Sequence, residues 1–279
     1  MLLLVYSLVR APDQGWGSAR TIGELATAAV LLVAFTATEL RRRDPLFPFS
    51  TFRIKGLAAS DATQMIAFAA FVSVFYFLTL YMQNVLGFSP IRSGSAYLPV
   101  TAGIVVAAGV SSQLFARIGT RPVIVAGALI AAAGVWYLSR IPVRGTYPAS
   151  LLPGLVIMAI GIGAVLVAVT TAANADVPAD KAGLAAGLLN ASQQLGTALG
   201  LAIFSAIASA RTSALLATHA PRDAALTAGF HRALLVCAFF LLAAAVIALR
   251  ATNSRGEPAT EPSGIPAARD QVPAPEPAD

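Results

Sequence analysis

Apolar residues run along this chain in long blocks with almost no charge, and the polar positions gather in short hinges between them. Blocks at about 22–40, 57–82, 93–116, 122–139, 149–173, 183–209 and 230–249 all follow this pattern. Each is close to the ~20 helical residues that cross a hydrocarbon core roughly 30 Å thick. No water is available in that core, so a crossing segment must satisfy its own backbone N–H and C=O groups, as a helix does. The pattern predicts an all-α integral membrane protein with several crossings. Soluble helices keep a polar face, and the blocks at 122–138 and 149–169 have none.

The blocks divide the chain into four parts. Residues 1–9 (MLLLVYSLV) are apolar but lack a basic n-region, so they read as the end of a truncated transmembrane helix rather than a signal peptide. Residues 22–40 read as a linker-type transmembrane helix, and 54–250 as a six-helix transmembrane bundle. Residues 251–279 carry six prolines among Ala, Glu and Asp, without periodic apolar positions. Such a segment buries too little surface to offset its ordering entropy, which predicts a disordered tail.

Composition agrees with the pattern. Hydrophobic residues make up 57% of the chain and charged residues 11%, against about 25% charged in a soluble domain; the mean hydropathy is +0.75. The net charge of +6 does not indicate a nucleic-acid partner, because the arginines sit in hinges rather than along one face. Eleven of the nineteen basic residues fall on one side of the alternating hinges, led by the cluster Arg41, Arg42, Arg43, Arg53 and Lys55. The positive-inside rule makes that side cytoplasmic, together with the C-terminus. The lone Cys237 lies in an apolar block, so there is no disulfide framework.

Candidate chemistry is sparse. No HExxH motif, lysine-bearing phosphate loop or cysteine pair is present, so no enzyme activity, cofactor or metal site is expected. His219 and His231 read as solvated residues of a long hinge at 210–229, and Gly161 and Gly163 as helix-packing positions. Asp61 is the one acidic residue well inside a predicted crossing, where ionisable groups are costly and usually functional. Gln64, Phe68, Phe71 and Phe75 follow it at helical spacing. They make one face that runs from a carboxylate to an aromatic strip. One reading is a substrate cavity with Asp61 as proton-coupling or cation-binding group. The other places Asp61 near the headgroups, paired with Arg53 or Lys55, and the phenylalanines against lipid. In the 183–209 block, Gly183, Gly187, Asn190, Gln194 and Thr197 share a stripe, with Gly196 and Gly200 on the opposite side. Two GxxxG spacings suit close helix packing, and Asn190 and Gln194 are alternatively substrate-cavity candidates.

The stretch QLFARIGTRP from Gln113 to Pro122, with Gly127 beyond it, resembles the basic cytoplasmic loop of major facilitator superfamily transporters in its C-terminal-half version. Further landmarks in order resemble the fourteen-helix drug/proton antiporter branch: Gly15-Trp16, Glu39 with Arg41 to Leu46, Tyr81 to Pro90, Gly94, Leu98-Pro99, Gly161 with Gly163, and Gly183 to Gly196. Ala168 departs from it, standing near the place where family members carry a proline. The resemblance implies a cell-membrane protein that exports small hydrophobic or cationic compounds against inward protons. It implies that Arg117, Gly119 and Arg121 act at the cytoplasmic gate. It also implies that the chain is a C-terminal half, working with a missing N-terminal half or as a homodimer. The alternative is a truncated or non-transporting membrane protein, a remnant or an interaction subunit.

Overall fold

The computed structural model describes residues 3, 6–7, 18–41, 57–175, 177 and 182–255. Among these the architecture is all-α. Helix α1 spans Ala19–Arg41, α2 Leu57–Asn84, α3 Pro90–Ser95, α4 Leu98–Ile118 and α5 Thr120–Leu138. A π-helical turn at Tyr147–Leu151 leads into α6, Leu152–Asn174, followed by α7, Ala182–Ala217, and α8, Arg222–Ala248. Among the described residues, six segments are long and apolar enough to cross a membrane: α2, α3 with α4, α5, the π turn with α6, α7 and α8.

Proline and tyrosine explain the local departures from plain helices. The expected single block at 93–116 is broken at Ala96–Tyr97, because Pro99 in the first turn of α4 has no N–H to continue the ladder. Pro153 likewise removes the donor that the Ala149 carbonyl would receive in an α-helix. The Tyr137 hydroxyl donates to that carbonyl instead, at 3.0 Å. The Tyr147 hydroxyl donates to the Ala96 carbonyl at the break, and Tyr81 donates to the Pro142 carbonyl. Three tyrosines thus satisfy carbonyls at helix breaks and loops.

The hinge expected at 210–229 is almost entirely helix. Helix α7 continues to Ala217 and α8 begins at Arg222, directly after Pro221. Four residues make the turn, with His219 at φ 61°. At 36 residues α7 is about 54 Å long, so its ends extend beyond a core roughly 30 Å thick. His231 is correspondingly not a solvated loop residue. It is half-buried in α8, and its Nε2 pairs with the Ile141 carbonyl.

The packing has an internal two-fold pattern. Helices α2, α3–α4 and α5 form one triplet, and α6, α7 and α8 a second. The first helix of each triplet packs on the second and third helices of the other: α2 on α7 and α8, α6 on α4 and α5. The two first helices also meet, as do the two third helices. Because each triplet crosses an odd number of times, the second enters from the opposite side, giving an inverted repeat. Small residues set the seams. A Cβ at Gly161 would meet the backbone of Gly127 and Ala131 in α5, and one at Gly163 the Ile104 carbonyl of α4. Cys237 is fully buried in the core of α8. Helix α1 stands apart: Val30, Leu31, Val33 and Phe35 are exposed, and it has no extended seam with the bundle among the described residues.

Candidate functional site

Helix α2 carries the candidate acid. Asp61 lies one turn inside its first residue, about 6 Å along the axis. It is only 4% exposed, and neither carboxylate oxygen has a hydrogen-bond partner among the described residues. The neighbouring Ser60 hydroxyl is likewise buried and unpartnered. Gln64, one turn on, is also buried. Beside this turn, Leu57 of α2, Ala173 of α6 and Leu189 of α7 form a small apolar cluster that closes the end of the bundle. Converging helices bury Asp61 within the bundle, one turn from the start of α2. Arg53 and Lys55, its alternative partners, lie outside the described residues.

The aromatic strip forms as a ladder. The Phe68 and Phe71 rings meet edge-on at 6.0 Å and Phe71 and Phe75 edge-on at 4.9 Å, while Phe75 and Tyr97 lie tilted by 31° at 4.7 Å. All three phenylalanines are half-buried. The Tyr97 hydroxyl ties the ladder to α2, bonding to Thr79 Oγ1 at 2.9 Å and donating to the Phe75 carbonyl at 3.0 Å. Sequence reasoning missed Tyr97; its signal was its place just before Leu98-Pro99, where a helix restart turns a side chain back toward α2.

Helix α7 runs parallel to α2, and its two glycine pairs behave differently. A Cβ at Gly196 would meet the Met65 backbone, and one at Gly200 the Ala69 backbone. Around Gly183 and Gly187 nothing lies within 4 Å of such an atom. The first GxxxG thus forms no seam among the described residues. The stripe carrying Asn190 and Gln194 is exposed, so the structure does not bring these two together with the buried Asp61 and Gln64. The pairing of Leu189 with Leu57 and of Gly196 with Met65 puts Gln193 level with Asp61. Gln193 is half-buried.

The loop between α4 and α5 lies at the same end. Gly119 links the two helices at φ 89°, a conformation that glycine adopts without strain. Arg117 and Arg121 are exposed. A segment just after α8 clasps this loop. Thr120 N–H donates to the Ser254 carbonyl at 2.8 Å, and the Thr120 hydroxyl to the Thr252 carbonyl at 2.9 Å. Arg121 N–H donates to Asn253 Oδ1 at 3.1 Å, and Arg121 Nε to the Ala251 carbonyl at 2.9 Å. The Asn253 side chain occupies the space that a Cβ on Gly119 would fill. Residues 251–255, assigned from sequence to the tail, are therefore held in place, while 256–279 lie outside the described residues, as do the basic cluster at 42–55 and Lys181. No group of three or more metal-ligating side chains occurs among the described residues.

Known proteins are similar to this chain in sequence. The Major Facilitator Superfamily profile matches residues 1–201. The chain is 33% identical over 268 residues to the puromycin resistance protein pur8 of Streptomyces alboniger, covering 94% of this chain and 53% of that protein. It is 35% identical over 185 residues to the tetracenomycin C resistance and export protein of Streptomyces glaucescens, covering 66% of this chain and 34% of that one. It is 33% identical over 190 residues to the multidrug resistance protein Stp of Mycobacterium tuberculosis, covering 68% and 35% respectively. The chain thus spans between about a third and about half of the length of these relatives.

Proposed function

The chain belongs to the major facilitator superfamily, and on that premise we propose that it takes part in proton-coupled export of small hydrophobic or cationic compounds across the cell membrane. In this reading it supplies the C-terminal six-helix bundle of a transporter and works against a second bundle. The relatives' names, for resistance to or export of puromycin, tetracenomycin C and other drugs, support the substrate class.

The carboxyl of Asp61, buried and without a hydrogen-bond partner among the described residues, carries the proposal. A carboxylate withdrawn from water costs several kcal/mol unless a proton or cation neutralises it. Asp61 is the group that takes a proton or meets an organic cation, and Gln64 and the half-buried Phe68, Phe71 and Phe75 continue its face as an apolar wall. The exposed stripe with Asn190 and Gln194 faces outward from the bundle and contributes polar contacts once the second bundle stands opposite. The loop with Arg117, Gly119 and Arg121 serves as the cytoplasmic gate. That assignment puts the gate, Asp61 and the C-terminus at the cytoplasmic end, in agreement with the basic cluster at 41–55.

The test is efflux of a cationic dye from vesicles with an imposed proton gradient, for the chain together with an N-terminal half. Asp61→Asn is expected to abolish dye efflux and the accompanying proton flux while the chain still inserts. Unchanged efflux and proton flux in that variant overturn the role of Asp61. Absence of efflux in every combination favours a non-transporting membrane subunit.

A further inference from the structure

At the end of the bundle opposite the gate loop, α5 with the residues just after it, α7 and α8 line an open pocket of about 360 Å³ whose walls include Trp136, Arg140, Arg211, His231 and Arg232. Three arginines from three separate elements meet there without a carboxylate. Asp223, the one acidic residue at that end of the bundle among the described residues, is not part of the walls. Arg211 and Arg232 form no hydrogen bond or ion pair among the described residues. All three arginines are exposed, so water and salt screen their mutual repulsion, and an anion bound among them would place one opposite charge beside several positive ones.

The geometry also fits a particular kind of anion. The Arg140 guanidinium lies over the Trp136 ring, 3.8 Å from its centroid. This cation–π contact uses the flat face of the guanidinium and leaves its N–H groups, which lie in the plane, free to donate. Planar arginine forks suit the paired oxygens of a phosphate. His231 is fixed by its bond to the Ile141 carbonyl, which ties α8 to the segment after α5 and gives the pocket a preformed wall. Trp136 is exposed at the last turn of a membrane-crossing helix, the depth at which tryptophans sit beside phospholipid headgroups.

We propose that this pocket binds the phosphate of an anionic phospholipid headgroup in the leaflet at that end. The acyl chains lie along the apolar helix surfaces below it, and the three arginines hold the phosphodiester. Basic residues near an anionic membrane surface each add about 1 kcal/mol of attraction, roughly fivefold, and the same electrostatics act on an anionic headgroup in this pocket.

The test uses the full chain purified in detergent and mixed with equal amounts of phosphatidylglycerol and phosphatidylcholine, with bound lipid counted by native mass spectrometry. Phosphatidylglycerol is expected to be retained at least ~10-fold over phosphatidylcholine. Arg211→Gln and Arg232→Gln are each expected to cut that preference roughly fivefold, and Arg211→Lys to keep most of it. Arg92→Gln removes a charge at the same end but outside the pocket, and should leave the preference intact. Equal retention of both lipids by the unaltered chain overturns the proposal. So does an equal loss in Arg92→Gln, which would mark diffuse surface charge, or complete displacement by excess inorganic phosphate, which would mark a site for the free ion.

Discussion

Helices α6 and α7 are both rich in glycine and nearly uncharged, yet α6 packs all of its glycines and α7 only half of its own. In α6, Gly154, Gly161 and Gly163 all abut a neighbouring helix, so the glycines bring its axis close to α4 and α5. In α7, Gly196 and Gly200 do the same against α2, while Gly183 and Gly187 face open space. A small-xxx-small spacing states only that a backbone can be approached. Whether it is approached depends on where the helix stands. Helix α6 is the first member of its triplet and has neighbours on several sides, whereas α7 has one face on α2 and α8 and another turned away from the bundle.

Substitutions can break this comparison. Gly161→Leu drives a side chain into the α5 backbone, with an expected cost at the upper end of the overpacking range, about 3 kcal/mol. Thermal melting of the detergent-solubilised chain should show it as lost monodisperse protein. Gly196→Val confronts the Met65 backbone in the same way and should cost about 1–3 kcal/mol in the same assay. On the clasp, Asn253→Ala removes one acceptor from Arg121 and should weaken it by about 1 kcal/mol, read as faster amide exchange at residues 119–121. The smallest effect belongs to Gly187→Ala. With nothing around the added methyl, its helix propensity should leave stability unchanged or raise it by up to about 1 kcal/mol. A loss at Gly187 as large as that at Gly161 would erase the distinction between the two helices.

The same contrast separates what was legible in the sequence from what was not. Hydrophobic block length located the six long apolar segments found among the described residues, because the bilayer dictates it, and it also marked the block at 22–40, which α1 covers as helix. Asp61 stood out because a carboxylate in an apolar block is rare. The ends of α7 and α8 did not, because Arg211 and Arg222 look like hinge residues, although an exposed arginine sits on a projecting helix at little cost. The face of α7 that packs was equally hidden: Gly187 and Gly196 look alike in sequence, and only the register against Met65 tells them apart. The break at Ala96 was signalled by Pro99. The clasp carried no pattern at all, since Thr252, Asn253 and Ser254 lack periodicity and meet a loop more than 130 positions earlier.

That separation along the chain bears on biosynthesis. The loop at Gly119 leaves the ribosome well before its clasp, since Thr120 and Thr252 are 132 positions apart. At ordinary rates of protein synthesis the delay is on the order of ten seconds. Through that interval the partners that Thr120 and Arg121 meet in the finished fold, residues 251–254, have not yet been made. The joint between two early helices is therefore sealed by residues that emerge only after α8, so its completion follows synthesis of the last helix of the bundle.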